Sequence, residues 1–182
     1  MNQPVLSIDV SKSNSYAAAF MSYGQPFKKP IKFNHTIIRT QMHKWAEFSP
    51  AFPLFLSILG VGKLTAATII GEIGDVNRFP TTKQLIAYAG LDPTVYQSGR
   101  FKASNNKISK LGSTYLRKSL YQATTAAIRK VKGKPNNPTL YDYYTKKRNE
   151  GKPYKVAVIA TASKLLRIIY GVWKNNEKFI IK

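Results

Sequence analysis

Apolar and polar positions along the chain follow two periods. In the first ~35 residues the runs are short and strand-like. Val5-Leu6-Ser7-Ile8-Asp9-Val10 predicts a buried strand that ends beside a carboxylate. Ser11 to Ser15 reads as a polar turn, Tyr16 to Met21 as a second strand, and Tyr23-Gly24-Gln25-Pro26 as another turn. Lys28 to Asn34 alternates weakly, and Pro30 pushes it to a sheet edge. Three such strands are marginal alone, so this segment reads as the start of a domain.

From about Ile37 the period becomes helical. Phe55 to Ile58, Gly60-Val61-Gly62 and Leu64 to Ile73 read as helix, tight hairpin and helix. Leu64, Ala67, Ile70 and Ile73 form its apolar stripe, and Gly71 and Gly74 weaken its far end. Thr82 is placed as the cap of a helix over Lys83 to Ala89, with Gly90 at a left-handed terminus. Leu91 to Ser104 reads as loop. A long helix is expected from Thr114 to Val131, then a linker from Lys132 to Pro138. Asn137-Pro138 supplies cap and first residue of the next helix, on which Leu140, Tyr143, Tyr144 and Lys147 share a face. Gly151 ends that helix and Pro153 opens the last. Val156, Ile159, Ala160, Ser163, Leu166, Tyr170 and Trp173 are its expected core stripe. The fold class is therefore mainly α with a short β segment of two or three strands in front.

Composition narrows the partners. The 182 residues carry 29 Lys+Arg against 8 Asp+Glu, a formal charge of +21, yet 43% are hydrophobic, enough for a packed core. Such an excess implies a polyanion, and core-facing helices favour nucleic acid over a membrane surface. No run approaches ~18 apolar residues, so no membrane span is expected. Met1-Asn2-Gln3-Pro4 does not open a signal peptide. The absence of cysteine excludes disulfides and thiolate metal sites and fits a reducing cytosol. Arg100, Lys102, Lys107, Lys110, Arg117, Lys118, Arg129, Lys130, Lys132 and Lys134 form an acid-free basic stretch. It reads as a phosphate-contacting stripe rather than a mixed-sign solvated face.

Three spots carry candidate chemistry. The glycines of Gly60-Val61-Gly62-Lys63 permit a tight turn, and N–H groups opening the next helix can hold a phosphate, with Lys63 adding charge. An ordinary helical hairpin would share that pattern. Asp9 could ligate Mg²⁺ at a strand end, yet one carboxylate is a poor site, and by spacing alone it reads as a turn aspartate. Ser98, near Arg100 and Lys102, could attack phosphorus; alone it reads as a Ser-Gly turn residue. His35 and His43 have no metal-ligand partners.

Taken together, the motifs resemble one family. Ser7-Ile8-Asp9-Val10-Ser11-Lys12 is similar to the opening of the insertion sequence 110 family of transposases, which includes Piv-like invertases. Downstream, Ile58-Leu59-Gly60-Val61-Gly62, Gly71-Glu72-Ile73-Gly74-Asp75, Arg78-Phe79 and Ala87-Tyr88-Ala89-Gly90-Leu91-Asp92-Pro93 follow in the family's order. Gln97-Ser98-Gly99, Ile108-Ser109-Lys110-Leu111-Gly112 and Leu116-Arg117-Lys118-Ser119-Leu120-Tyr121 complete the set. The resemblance implies a RuvC-like, RNase H-type domain whose four acids hold Mg²⁺. It also implies a C-terminal transposase domain with a serine nucleophile, and in some members a structured guide RNA. By position, Asp9 matches the first acid and metal ligand, and Ser98 the nucleophile.

One departure is large. Between His35 and Phe55 the only acid is Glu47, in Trp45-Ala46-Glu47-Phe48, which does not match the family's acid motif. Three of the four metal-binding acids are missing, as in an internally deleted copy. Leu59 also stands where the family commonly has Pro. The expected organisation is residues 1–36 as an RNase H-like remnant, 37–53 as a junction, and 54–182 as the transposase domain. The expected function is a truncated insertion-sequence transposase or site-specific recombinase that binds DNA and, as in some members, a guide RNA, with Mg²⁺-assisted strand cleavage impaired. The contacts expected are Gly60, Gly62, Lys63, Arg100, Lys102, Lys107, Lys110, Arg117 and Lys118. The alternative is a non-catalytic nucleic-acid-binding module that modulates full-length transposase. Self-assembly or assembly with that transposase is expected, in the bacterial cytoplasm at the nucleoid and without a membrane.

Overall fold

A computed structural model describes residues 5–10, 14–22, 25–26, 31–34, 44, 46–93, 97–98, 101–102 and 108–181, with backbone alone in the strands before residue 35 and between 97 and 102. The chain divides into two compact units, Met1–Lys44 and Trp45–Lys182.

In the first unit, β1 (Val5–Val10) pairs antiparallel with β2 (Asn14–Ser22), setting Asp9 opposite Tyr16 and Ile8 opposite Ala17. The other edge of β2 is shared. β3 (Gln25–Pro26) pairs near Phe20 to Ser22, and β4 (Ile31–Asn34) pairs with Asn14 to Ala17. The sheet therefore has four strands rather than two or three. Gln25 and Pro26, expected in a turn, continue the ladder past a register shift in β2. β4 begins just after Pro30, where the ring no longer removes a needed donor.

The second unit is helical: α1 (Ala51–Leu56), α2 (Lys63–Ile73), α3 (Thr82–Tyr88), α4 (Thr114–Ile128), α5 (Pro138–Asn149) and α6 (Tyr154–Asn175). Two short hairpins interrupt it. They are β5 (Gln97–Ser98) with β6 (Phe101–Lys102), and β7 (Lys130–Val131) with β8 (Lys134–Pro135). The protein is mainly α, as the sequence pattern predicts.

α6 is the axis of this unit and packs against α1, α3, α4 and α5. Leu165, Leu166 and Ile169 are fully buried, each contributing roughly 1.5–3 kcal/mol. Phe55 of α1 meets Trp173 edge-on, with centroids 5.1 Å apart. The buried face is Ala157, Val158, Thr161, Ala162, Leu165, Leu166, Ile169 and Val172. The predicted stripe shares only Leu166 with it, and Val156 is 50% exposed. The helix is apolar on most of its circumference, so periodicity could not rank its faces. Small residues at 157 and 162 allow close approach and select the core side. By length and composition α6 could cross a bilayer, which corrects the expectation that no run would be long enough. Its packing makes it the core helix of this unit.

Asn137-Pro138 and Gly90 mark helix ends where the pattern placed them, whereas one cap is shifted by a position. Thr81, not Thr82, caps α3, in a capping box with Gln84. Thr81→Ala should lower stability by about 1 kcal/mol in a denaturant titration; no change would mean that the box frays in solution. The long helix also stops at Ile128, short of Val131. Lys132 and Gly133 both adopt positive φ (51° and 79°), turning the expected linker into the β7–β8 hairpin. Basic residues are good helix formers, which is why the pattern overran the true end.

Candidate nucleic-acid interface

α1 and α2 meet through Ser57 to Gly62. The turn is tight: the N–H groups of Ser57, Ile58 and Val61 donate to Leu54, Phe55 and Ile58 carbonyls at 2.9–3.2 Å. Gly60 sits at φ 104°, where a Cβ would lie 2.5 Å from the Ala127 Cβ and 2.8 Å from its backbone nitrogen. Glycine is therefore required by close approach to α4. Gly62 differs. Its φ is −86°, and a Cβ there would meet nothing within 4 Å. It caps α2 without a side-chain bond, and the first helical hydrogen bond runs from Ala66 to its carbonyl. The N–H groups of Lys63, Leu64 and Thr65 thus have no acceptor within the helix, and Lys63 and Leu64 are exposed.

A cleft of about 500 Å³ opens beside these N–H groups, bordered by Gly60, Gly62 and Thr65, by Gln122 and Ala126 of α4, and by Asn136. Tyr115, Lys118, Gln122, Ala126 and Arg129 are all exposed. Their spacing places them on one face of α4, continuing past its end. Buried Asn137 locks the arrangement. Its Nδ2 donates to the Leu59 carbonyl (3.0 Å), and its Oδ1 accepts from the Leu140 N–H (3.2 Å).

The predicted contacts separate into groups. Gly60, Gly62 and Lys63 lie together at the hairpin. Lys118 lies on the exposed α4 face. Arg117 points inward, its guanidinium donating to the carbonyls of Ala89 (3.0 Å) and Gly112 (3.4 Å) and to Thr114 Oγ1 (3.3 Å). Two of these acceptors are backbone carbonyls, a role that the basic character of the stretch could not reveal. Lys110 is exposed at φ 56°, its N–H donating to the Gly90 carbonyl. Arg100 and Lys107 lie outside the described residues, as do the side chains of Asp9, Ser98 and Lys102.

The backbone around Ser98 is informative. The residues that flank positions 94–107 are paired. Pro93 bridges Ile108, and Ser109 donates to Asp92 through both N–H (2.8 Å) and Oγ (2.5 Å). One step further in, Lys110 reaches Gly90 and Ser113 reaches Tyr88. Within this arm Gln97 pairs with Lys102, and Ser98 with Phe101. Ser98 is thus the last paired residue before the hairpin turn. Below the arm, Ser113 donates to Glu72 Oε2 at 2.5 Å while capping α4, and Tyr88 donates to the Glu72 carbonyl. Arg78 stacks over Phe79 and Tyr88 at 5.2 and 5.3 Å. Motif residues read as a family signature therefore build the junction that carries the arm.

Sequence reasoning missed Thr65, Gln122 and Asn136 because no charge marks them. It also missed the inward role of Glu72, which needed a partner 41 positions away. The shifted titrations among the described residues belong to α5. The Lys147 hydrogen bond holds Glu150 below the usual carboxylate range, and the same bond raises Lys147.

Among the described residues, the acids do not assemble a Mg²⁺ site of the RuvC type. Asp9 is the only Asp or Glu in Met1–Lys44. Glu72, Asp75, Asp92 and Glu150 are committed to Ser113, Asn77, Ser109 and Lys147. Among the described residues, no three His, Asp or Glu side chains group together. Two-metal chemistry needs several converging carboxylates.

Comparison with known proteins places this architecture. The model described as the transposase IS116/IS110/IS902 family matches residues 53–145, spanning the α1–α2 hairpin, the arm and α4. The chain belongs to this family. Its relatives include the transposase for insertion sequence element IS1111A of Coxiella burnetii, 34% identical over 123 residues, 68% of this chain and 33% of that protein. The pilin gene-inverting protein of Moraxella bovis is 31% identical over 126 residues, 69% of this chain and 38% of that protein. The insertion element IS110 43.6 kDa protein of Streptomyces coelicolor is 26% identical over 139 residues, 76% of this chain and 33% of that protein. The chain spans about a third of the length of these family members.

Proposed function

We propose that this chain is a nucleic-acid-binding, serine-bearing form of an insertion-sequence transposase whose strand cleavage is impaired. The observation that carries the binding half is the uncapped start of α2. Three free N–H groups, Lys63 and a bare Gly62 open onto a cleft flanked by the exposed face of α4. Phosphate oxygens suit such N–H groups, and the helix dipole favours their charge. The net charge of +21 supports the same partner. DNA is the proposed substrate, and a structured guide RNA is a further polyanion the same surface could hold.

The catalytic half rests on family position. Ser98 Oγ would attack a DNA phosphorus, its proton leaving to a base and the 3′ or 5′ oxygen departing as the leaving group, to give a serine–DNA ester. Arg100 and Lys102 supply positive charge beside it. Asp9 is the one acid in its unit that could ligate Mg²⁺, so cleavage should be weak unless other carboxylates are supplied. The proposed location is the bacterial cytoplasm, at the nucleoid.

Binding is tested by fluorescence anisotropy on duplex DNA across a salt series. Lys63→Gln/Lys118→Gln should flatten the slope of log affinity against log salt by about 0.9 per lost phosphate contact. An unchanged slope would remove this surface from the interface. For cleavage, purified protein is incubated with Mg²⁺ and element-end DNA. Robust cutting that Ser98→Ala abolishes would overturn the impairment.

The shortage of acids favours one second reading, a module that modulates full-length transposase by mixed assembly. Co-expression should then change transposition frequency and the two proteins should co-purify; neither effect would reject it.

A further inference from the structure

We propose that the β7–β8 hairpin, Lys130 to Pro135, is a wing that docks on the phosphates of duplex DNA beside the α2 N-terminus. The proposal rests on the nucleic-acid reading above and adds a second, separate contact element.

The hairpin is built to hold its shape. Lys130 pairs with Pro135 and Val131 with Lys134. Its base is tied to α4: the Asn136 N–H donates to the Arg129 carbonyl (2.9 Å), Asn136 Nδ2 to Ala126 (3.2 Å), and the Asn137 N–H to Ala127 (2.8 Å). Positive φ at both turn residues gives the twist that two-residue hairpins require. Glycine and asparagine satisfy that geometry without strain, and glycine occupies the second position. The first holds Lys132 at φ 51°. A strained non-glycine residue that local stability does not favour points to a use for its side chain.

Charge and facing give that use. Lys130 Nζ lies 5.2 Å from the centroid of the Tyr141 ring, so that face of the ribbon turns toward α5. Cross-strand partners share a face, so Val131 and Lys134 occupy the opposite one. Val131 is 55% exposed, and Lys132 and Lys134 are exposed with no acidic partner among the described residues. Two cations on a hydrogen-bonded ribbon lose little backbone freedom on meeting phosphates. The wing has no aromatic side chain on which an unpaired base could stack, which disfavours a single strand as its ligand. It also stands where a duplex would reach it. Asn136 at its base borders the same cleft as Gly60 and Gly62, and Gly60 packs on Ala127 at the end of α4.

The test compares the full chain with Lys132→Asn/Lys134→Gln on a duplex of about three helical turns, by anisotropy over a salt series. Asn suits the left-handed turn, so the variant should melt no lower than the parent by circular dichroism. Losing two phosphate contacts should flatten the log–log salt slope by about 1.8 and weaken binding about thirtyfold near 0.15 M salt. Lys146→Gln/Lys155→Gln removes the same charge from α5 and α6 and should lose far less. A single strand of the same sequence should show less than about a threefold change. An unaltered slope, an equal loss in the charge-matched control, or an equal loss on the single strand overturns the wing while leaving the wider reading intact. Failure of the parent chain to bind duplex DNA at all removes both.

Discussion

Gly60→Ala should destabilise the helical unit by about 2–5 kcal/mol. A left-handed alanine costs roughly 1–2 kcal/mol. Forcing its methyl group into a packed contact adds about 1–3 kcal/mol. The contact here is the Ala127 backbone and Cβ, 2.5–2.8 Å away, which cannot rotate aside. Gly62→Ala, two residues on, should cost less than about 1 kcal/mol, because its φ is ordinary and nothing lies within 4 Å. Chemical denaturation of both variants separates them. Equal losses would show that the hairpin does not rest on α4 as described.

Asn137→Ala carries the next largest expected loss, about 1.5–2.5 kcal/mol. Removing a helix cap costs about 1 kcal/mol. Losing the bond to the part-buried Leu59 carbonyl adds about 0.5–1.5 kcal/mol. Asn137 is fully buried and serves both roles through its two amide atoms. Asn137→Ser keeps a capping oxygen for the Leu140 N–H but cannot reach Leu59. It should recover about 1 kcal/mol of the loss in the same urea titration. If serine restores full stability, the long-range bond to Leu59 contributes nothing, and the turn is held by Gly60 alone.

How far the sequence reached depends on whether a feature is local. The glycine hairpin, the Asn137-Pro138 helix start and the β1–β2 pair were legible because each signal lies within a few residues of what it specifies. Faces were less legible. α2 buries Ala66, Ala67, Ile69 and Ile73, whereas the predicted stripe included Leu64, which is 38% exposed. Apolar residues surround both α2 and α6, so tertiary neighbours decide which side is covered. The basic stretch was legible as charge but not as geometry. It divides into Arg117, used inside on Ala89 and Gly112, Lys118 on the outer face of α4, and the β7–β8 ribbon. Only the glycine at 133, just after a lysine, hinted at that last division. The junction of Glu72, Arg78, Tyr88 and Ser113 draws on four separated segments, and no window along the chain contains it.

The paired base of the Ser98 arm has a consequence for how this architecture can change. Asp92–Ser109 and Pro93–Ile108 pair the two ends of the 94–107 segment on the helical unit. Doubling the length of such a loop adds only about 0.6 kcal/mol of closure entropy. On closure entropy alone, a segment whose ends are paired in this way should tolerate exchange. A homologous stretch from another family member, spliced in at Pro93 and Ile108, should leave the melting temperature nearly unaltered. In such a scaffold, sequence drift in the arm and sequence drift in the body are free to proceed at different rates.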